Sequence, residues 1–127
     1  MIAVGVGASR GCPLGELEDL VTAALAEAHV EHVDVLASAD VKADEGAILA
    51  LAAARGWRFV TFPAAALAAV PVPTPSATVA AHVGTPSVAE AAALLAAGDG
   101  SELMILKRRS AHATCAVAGT EDAWPVA

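Results

Sequence analysis

The stretch IAVGVGASRG, residues 2–11, decides the fold. Ile2 to Val6 is a short apolar run that breaks into glycines, the pattern of a buried strand entering a tight turn. Directly after it, Leu14, Leu17, Leu20, Val21, Ala24, Leu25 and Ala28 recur at spacings of three and four, which marks one face of a helix. Glu16, Glu18 and Asp19 lie near its start, where negative charge suits the helix dipole. A strand that turns through glycine into a helix is the opening unit of an α/β domain.

The same alternation continues along the chain. Val33 to Leu36 reads as a second strand, and Ala37 to Ala43 as a loop. A helix is expected from Asp44 to Arg55, with Ile48, Leu51 and Ala52 facing inward and Gly56 at its C-terminal stop. Arg58 to Phe62 reads as a third strand, and Ala64 to Val70 as one or two helical turns. Pro71, Pro73 and Pro75 forbid regular helix or central strand; Ser76 to His82 reads equally as helix or irregular chain. Ser87 to Ala97 is the clearest helix, since Ser87 and Glu90 have capping-box spacing and Gly98 and Gly100 follow. Leu103 to Leu106 and Thr114 to Ala118 then give two strands in succession. The expected fold is one α/β domain over residues 1–127, a three-layer sandwich. Its mixed sheet of about five strands is mainly parallel, with helices on both faces and at least one antiparallel pair. Residues 119–127 are expected to form a flexible tail.

Composition narrows the function. Seven basic residues against 14 acidic ones give a net charge of −7, which argues against nucleic acid and anionic membrane surfaces. Mean hydropathy is +0.62, yet no apolar run approaches the roughly 20 residues of a spanning helix. The N-terminus lacks the basic start and long apolar run of a signal peptide, so a cytoplasmic location is expected. Cys12 and Cys115 are too few and too isolated for a disulfide framework or a zinc site. The four histidines lack metal-ligand spacing, and neither metal nor cofactor is expected. Hydrophobic residues make up 57% of the chain, largely alanine, so close backbone approach must supply part of the core.

Five constellations carry possible chemistry, and each has a plain structural reading beside it. Gly5, Gly7, Arg10 and Gly11 follow the first strand; they suit backbone anion binding or a tight turn, and they do not complete a dinucleotide fingerprint. A nucleotide-binding module stays open on this loop alone. Ser38, Asp40, Lys42 and Glu45 form a polar cluster after the second strand, suited to acid–base chemistry or to helix capping. Ser76 follows the proline segment, as a hydrogen-bond donor or part of a surface turn. Ser87 and Glu90 open the last helix, as a capping box or a receptor for a carboxylate. Lys107, Arg108 and Arg109 are the one basic cluster, either a grip for carboxylates or a solvated strand end.

The order of these blocks carries a resemblance. Gly5-x-Gly7-x-x-Arg10-Gly11 is followed by Leu36-Ala37-Ser38-x-Asp40-x-Lys42-x-x-Glu45 and Pro75-Ser76-x-x-Val79. Gly84-x-x-Ser87-Val88-Ala89-Glu90-Ala91-Ala92 comes next, then Lys107 with Thr114-x-Ala116-Val117-Ala118. From Ile2 to Ala118 the series resembles the CbiG/CobE family of cobalamin biosynthesis, in the form of the CbiG C-terminal domain standing alone.

The resemblance implies a compact α/β domain that binds or helps process a corrin or precorrin intermediate. Full-length CbiG proteins open the δ-lactone of cobalt-precorrin-5A and release acetaldehyde. A small lactone hydrolase and a docking module for a pathway methyltransferase are therefore the alternatives. Under this reading Arg10, Lys42 and Lys107 supply cations for the ligand's carboxylates. The glycine loop and the last helix's start supply N–H groups, and an alanine-rich surface supplies the floor. Asp40 or Glu45 acts as general base on a water, with Lys42 polarising the carbonyl. Other cobalamin-pathway enzymes are possible partners.

Overall fold

The computed structural model of the protein describes residues 1–70 and 88–120. The proline segment, Ser76, Ser87 and residues 121–127 lie outside the described residues.

Its elements are β1 (Ile2–Ala8), α1 (Leu14–Ala28), β2 (Val35–Ala39), a 3₁₀ turn (Asp40–Lys42), α2 (Gly46–Arg55) and β3 (Arg58–Phe62). They continue with α3 (Ala64–Ala68), α4 (Val88–Ala97), β4 (Glu102–Arg109) and β5 (Ala113–Gly119). One five-stranded sheet has the order β3-β2-β1-β5-β4. β1 pairs in parallel with β2, and β2 with β3; β5 pairs antiparallel with both β1 and β4. β5 alone is reversed, so the strand directions are mainly parallel, as expected.

Side chains alternate along a strand, and here the two faces differ in size. Ile2, Val4 and Val6 of β1, Leu36 of β2, and Cys115 and Val117 of β5 share one core with Leu17 and Val21 of α1 and Ile48 and Leu51 of α2. The opposite face is built from small residues. Gly5 stands in register with Ala37 on one side and Ala116 on the other. Across that shallow row lies α4, whose Ala89, Ala91, Ala92, Ala93 and Ala97 are all buried. A Cβ on Gly5 would come within 1.9 Å of the Ala89 carbonyl oxygen. The alanine content therefore serves a close helix-on-sheet approach, and these alanines are packed core rather than a floor for a ligand.

Several boundaries differ from the sequence reading. β2 begins two residues later than expected and runs on through Ala39, because Ser38 pairs with Thr61 and Ala39 with Phe62. The 3₁₀ turn displaces the start of α2 from Asp44 to Gly46, so Glu45 is the N-cap residue, without a side-chain cap bond. Gly56 does close α2, at φ 69°. β4 extends to Arg109, which places Lys107 inside a strand and shortens the hairpin turn to residues 110–112. Gly119 belongs to β5, opposite Ile2, and Thr120 exchanges hydrogen bonds with Met1, so these two residues, expected in the tail, belong to the folded domain. Leu14, expected on the inner face of α1, is exposed, and the buried face of the helix begins at Leu17.

Candidate functional site

The carboxyl ends of β1, β2, β3 and β4 meet at one rim, where ligand sites of open α/β sheets form. A cleft of about 370 Å³ opens there, at the small end of the usual range for ligand pockets. Gly7 and Ser9 at the end of β1, Lys42 of the 3₁₀ turn and Val88 at the start of α4 contribute to it. Lys107 and Arg109 of β4, Ser110 and His112 of the hairpin turn, and Thr114 of β5 complete the polar lining.

The basic triplet is sorted by strand alternation. Lys107 and Arg109 face the cleft, whereas Arg108 points to the other face and pairs with Glu27 of α1 at 2.7 Å. Lys107 is held from behind: its backbone N–H donates to Oε2 of Glu90 at 3.1 Å, and Glu90 is fully buried in the first turn of α4. That carboxylate joins helix to strand just beneath the cleft.

The hairpin wall is fixed by Glu16. Its Oε2 accepts the Ser110 hydroxyl and the His112 backbone N–H at 2.6 Å, while Oε1 lies 2.8 Å from His112 Nδ1. The Ser110 hydroxyl, then the His112 ring and the His112 N–H, hold this carboxyl down at about 2. From the opposite side the Ser9 N–H donates to the His112 carbonyl at 2.8 Å. Glu16 therefore does more than suit the dipole of α1; it ties α1 to the hairpin.

The residues expected at the site fall into separate groups. Lys42, Lys107 and Gly7 meet in the cleft. Arg10 and Gly11 are exposed on the turn after β1 and do not line it; Gly11, at φ 84°, serves the turn. Asp40 is exposed outside the cleft, and its carbonyl accepts the Ala43 N–H at 3.0 Å. Glu45 is buried at the start of α2, near enough to Cys12 that its charge, after desolvation and Glu16, helps raise that thiol. The expected Asp40–Lys42–Glu45 set thus does not assemble in this cleft. Ser38 is buried within β2, not on a loop, and its hydroxyl donates to the Val6 carbonyl at 2.7 Å. Gly5 is covered by α4 and offers no N–H to a ligand cleft. Ser76 and Ser87 lie outside the described residues.

Nothing local in the sequence marks Glu16, Ser110 and His112 as site residues. Glu16 and His112 lie 96 positions apart, and no local spacing joins them. Arg109 was visible as part of the basic cluster, but choosing it over Arg108 needed the strand's true end.

Residues 2–118 match the family model described as cobalamin synthesis G C-terminus. A protein named CobE from a Sinorhizobium species is 40% identical over 122 residues, covering 93% of this chain and 79% of that protein. A cobalt-precorrin-5A hydrolase from Priestia megaterium is 32% identical over 120 residues; the match covers 93% of this chain but only 32% of the hydrolase. The crystal structure of a CobE, a protein from the cobalamin (vitamin B12) biosynthetic pathway, superposes with a TM-score of 0.85 at 33% identity, covering 93% of this chain and 89% of that one. Cobalamin biosynthesis protein chiG from Agrobacterium tumefaciens matches with a TM-score of 0.75 at 34% identity, over 96% of this chain and 100% of that one.

Proposed function

This chain belongs to the cobalamin synthesis G C-terminal family as a CobE-like member, and from that premise we propose that its rim cleft grips the carboxylate arms of a corrin or precorrin intermediate. The observation that carries the proposal is the meeting of Lys42, Lys107 and Arg109 at one cleft in a chain of net charge −7. Such convergence of cations within an acidic whole suits an anionic ligand. Arg109 can fork onto a carboxylate, while the two lysines act as point charges. Apolar Ala8, Ala39, Val41 and Val88 at the same cleft suit the edge of a macrocycle. A cleft of about 370 Å³ takes an edge of such a molecule, with the rest of the ring lying across the rim.

Absorbance titration with hydrogenobyrinic acid tests this. Saturable perturbation of the pigment spectrum is expected, with Lys42→Ala and Lys107→Ala each weakening affinity by about tenfold or more, the scale of a lost charge-assisted hydrogen bond. A spectrum unmoved by the protein, as a pure docking module would leave it, contradicts the proposal. So does unchanged affinity in both variants.

A further inference from the structure

We propose that His112 is a general base at this cleft, aimed by Glu16, for attack of water on an ester or lactone carbonyl of the bound ligand. The proposal rests on the cleft being the ligand site and adds a chemical step to it.

The geometry fixes the imidazole's tautomer. An ionised carboxylate can only accept hydrogen bonds, so the contact between Glu16 Oε1 and His112 Nδ1, at 2.8 Å, requires the proton on Nδ1. In the neutral ring the free lone pair then sits on Nε2. His112 lines the cleft, its side chain is 56% exposed, and no protein group among the described residues hydrogen-bonds to Nε2. Its backbone is pinned on both sides, by Ser9 to its carbonyl and by Glu16 to its N–H. A carboxylate holding one ring nitrogen while the other faces a ligand cleft is the arrangement that turns an imidazole into an oriented base.

The charged groups sharing this environment are Glu16 behind the ring and Lys42, Lys107 and Arg109 along the cleft. The cations suit the negative charge that develops on a carbonyl oxygen under attack. In the step, Nε2 takes a proton from water as the hydroxide oxygen bonds to the carbonyl carbon. The tetrahedral intermediate collapses by breaking the carbon–oxygen bond of the ester. The departing alkoxide recovers the proton from the imidazolium, so water is the one co-reactant and the base is regenerated. Glu16 is a positioning residue here, since it touches the ring and not the ligand.

The test measures hydrolysis of δ-valerolactone by the full chain as base consumed at constant pH, since the hydroxy acid formed releases a proton, beside hydrogenobyrinic acid affinity for the same samples. Wild type is expected to hydrolyse the lactone above buffer, with a rate that rises as one group deprotonates. His112→Ala should lower the rate by roughly 100-fold, the scale of a lost general base, and added imidazole should restore part of it. His112→Gln, which keeps a side-chain hydrogen bond to Glu16 within reach, guards against misfolding and should be equally slow. Glu16→Gln should slow the reaction and displace its pH profile while pigment binding persists. Pigment binding without lactone hydrolysis overturns the base and leaves the cleft standing. Full rate in His112→Gln also overturns it. Lactone hydrolysis that depends on His112 without pigment binding supports the base and removes the corrin reading of the cleft.

Discussion

The Glu16 carboxylate holds His112 twice, accepting the backbone N–H at 2.6 Å and meeting ring Nδ1 at 2.8 Å. One side chain near the start of α1 thereby sets both the path of the β4–β5 hairpin and the attitude of the imidazole at the cleft. The consequence is a pH dependence with a definite sign. The carboxyl is lowered from 4.5 to about 2 on folding, so the folded state binds this proton less readily than the unfolded chain. Its stabilising contribution is fully present above 4.5 and is lost as pH falls through that window towards about 2. Protection of the His112 amide, its exchange rate relative to an unstructured peptide at the same pH, should be high at pH 4.5 and fall towards the lower limit; Glu16→Gln should remove this transition. Transition behaviour identical in wild type and Glu16→Gln would contradict the clamp.

Gly5 is predicted to be a packing glycine. With the Ala89 carbonyl oxygen only 1.9 Å from where a Cβ would sit, Gly5→Ala must push α4 off the sheet. Denaturant unfolding should show a loss on the order of 1–3 kcal/mol or more, the cost of overpacking a filled core. A near-neutral result would mean that α4 does not approach β1 this closely.

Ser38 is predicted to matter for stability and not for ligand binding. Ser38→Ala removes the hydrogen bond to the Val6 carbonyl and should cost about 1 kcal/mol in denaturant unfolding. Pigment affinity of the folded variant should match wild type. Weakened binding at unchanged stability would return Ser38 to the site.

Glu90 is predicted to act on both counts. Its buried carboxylate accepts the Lys107 N–H, so Glu90→Ala leaves that donor short of a partner beneath the cleft. A loss of roughly 1–3 kcal/mol in stability is expected, together with weaker pigment binding from a displaced Lys107. Stability and affinity both unchanged would show that the Lys107 strand needs no such support.

Much of this architecture was legible in the chain. The apolar run from Ile2 to Val6 that breaks into glycines is local, and so are the helical spacings of Leu17, Val21, Ala24 and Leu25. These set the elements and their order, and the closing pair of strands announced the antiparallel edge. Strand ends were less legible, because whether Ala37 to Ala39 continue β2 depends on a neighbour, β3, that offers them partners. The site was only partly readable for a related reason. Lys42 and Lys107 stand out as cations near strand ends, but Arg10 has the same local look and ends on an exposed turn. Gly5 was indistinguishable from Gly7 until α4 lay over one of them and the cleft beside the other. The Glu16–His112 pair could not be read at all, since only the folded sheet brings the hairpin tip back to α1.

Arg109→Ala and Arg10→Ala, titrated side by side with hydrogenobyrinic acid, put the location of the anion-binding cleft to its sharpest test. Both variants remove one arginine from the same end of the molecule, so their net charge is equal. Affinity should fall by about tenfold or more in Arg109→Ala and hold at the wild-type level in Arg10→Ala. Equal losses in the two would reduce the cleft to general electrostatic attraction, and a loss confined to Arg10→Ala would move the ligand to the turn after β1.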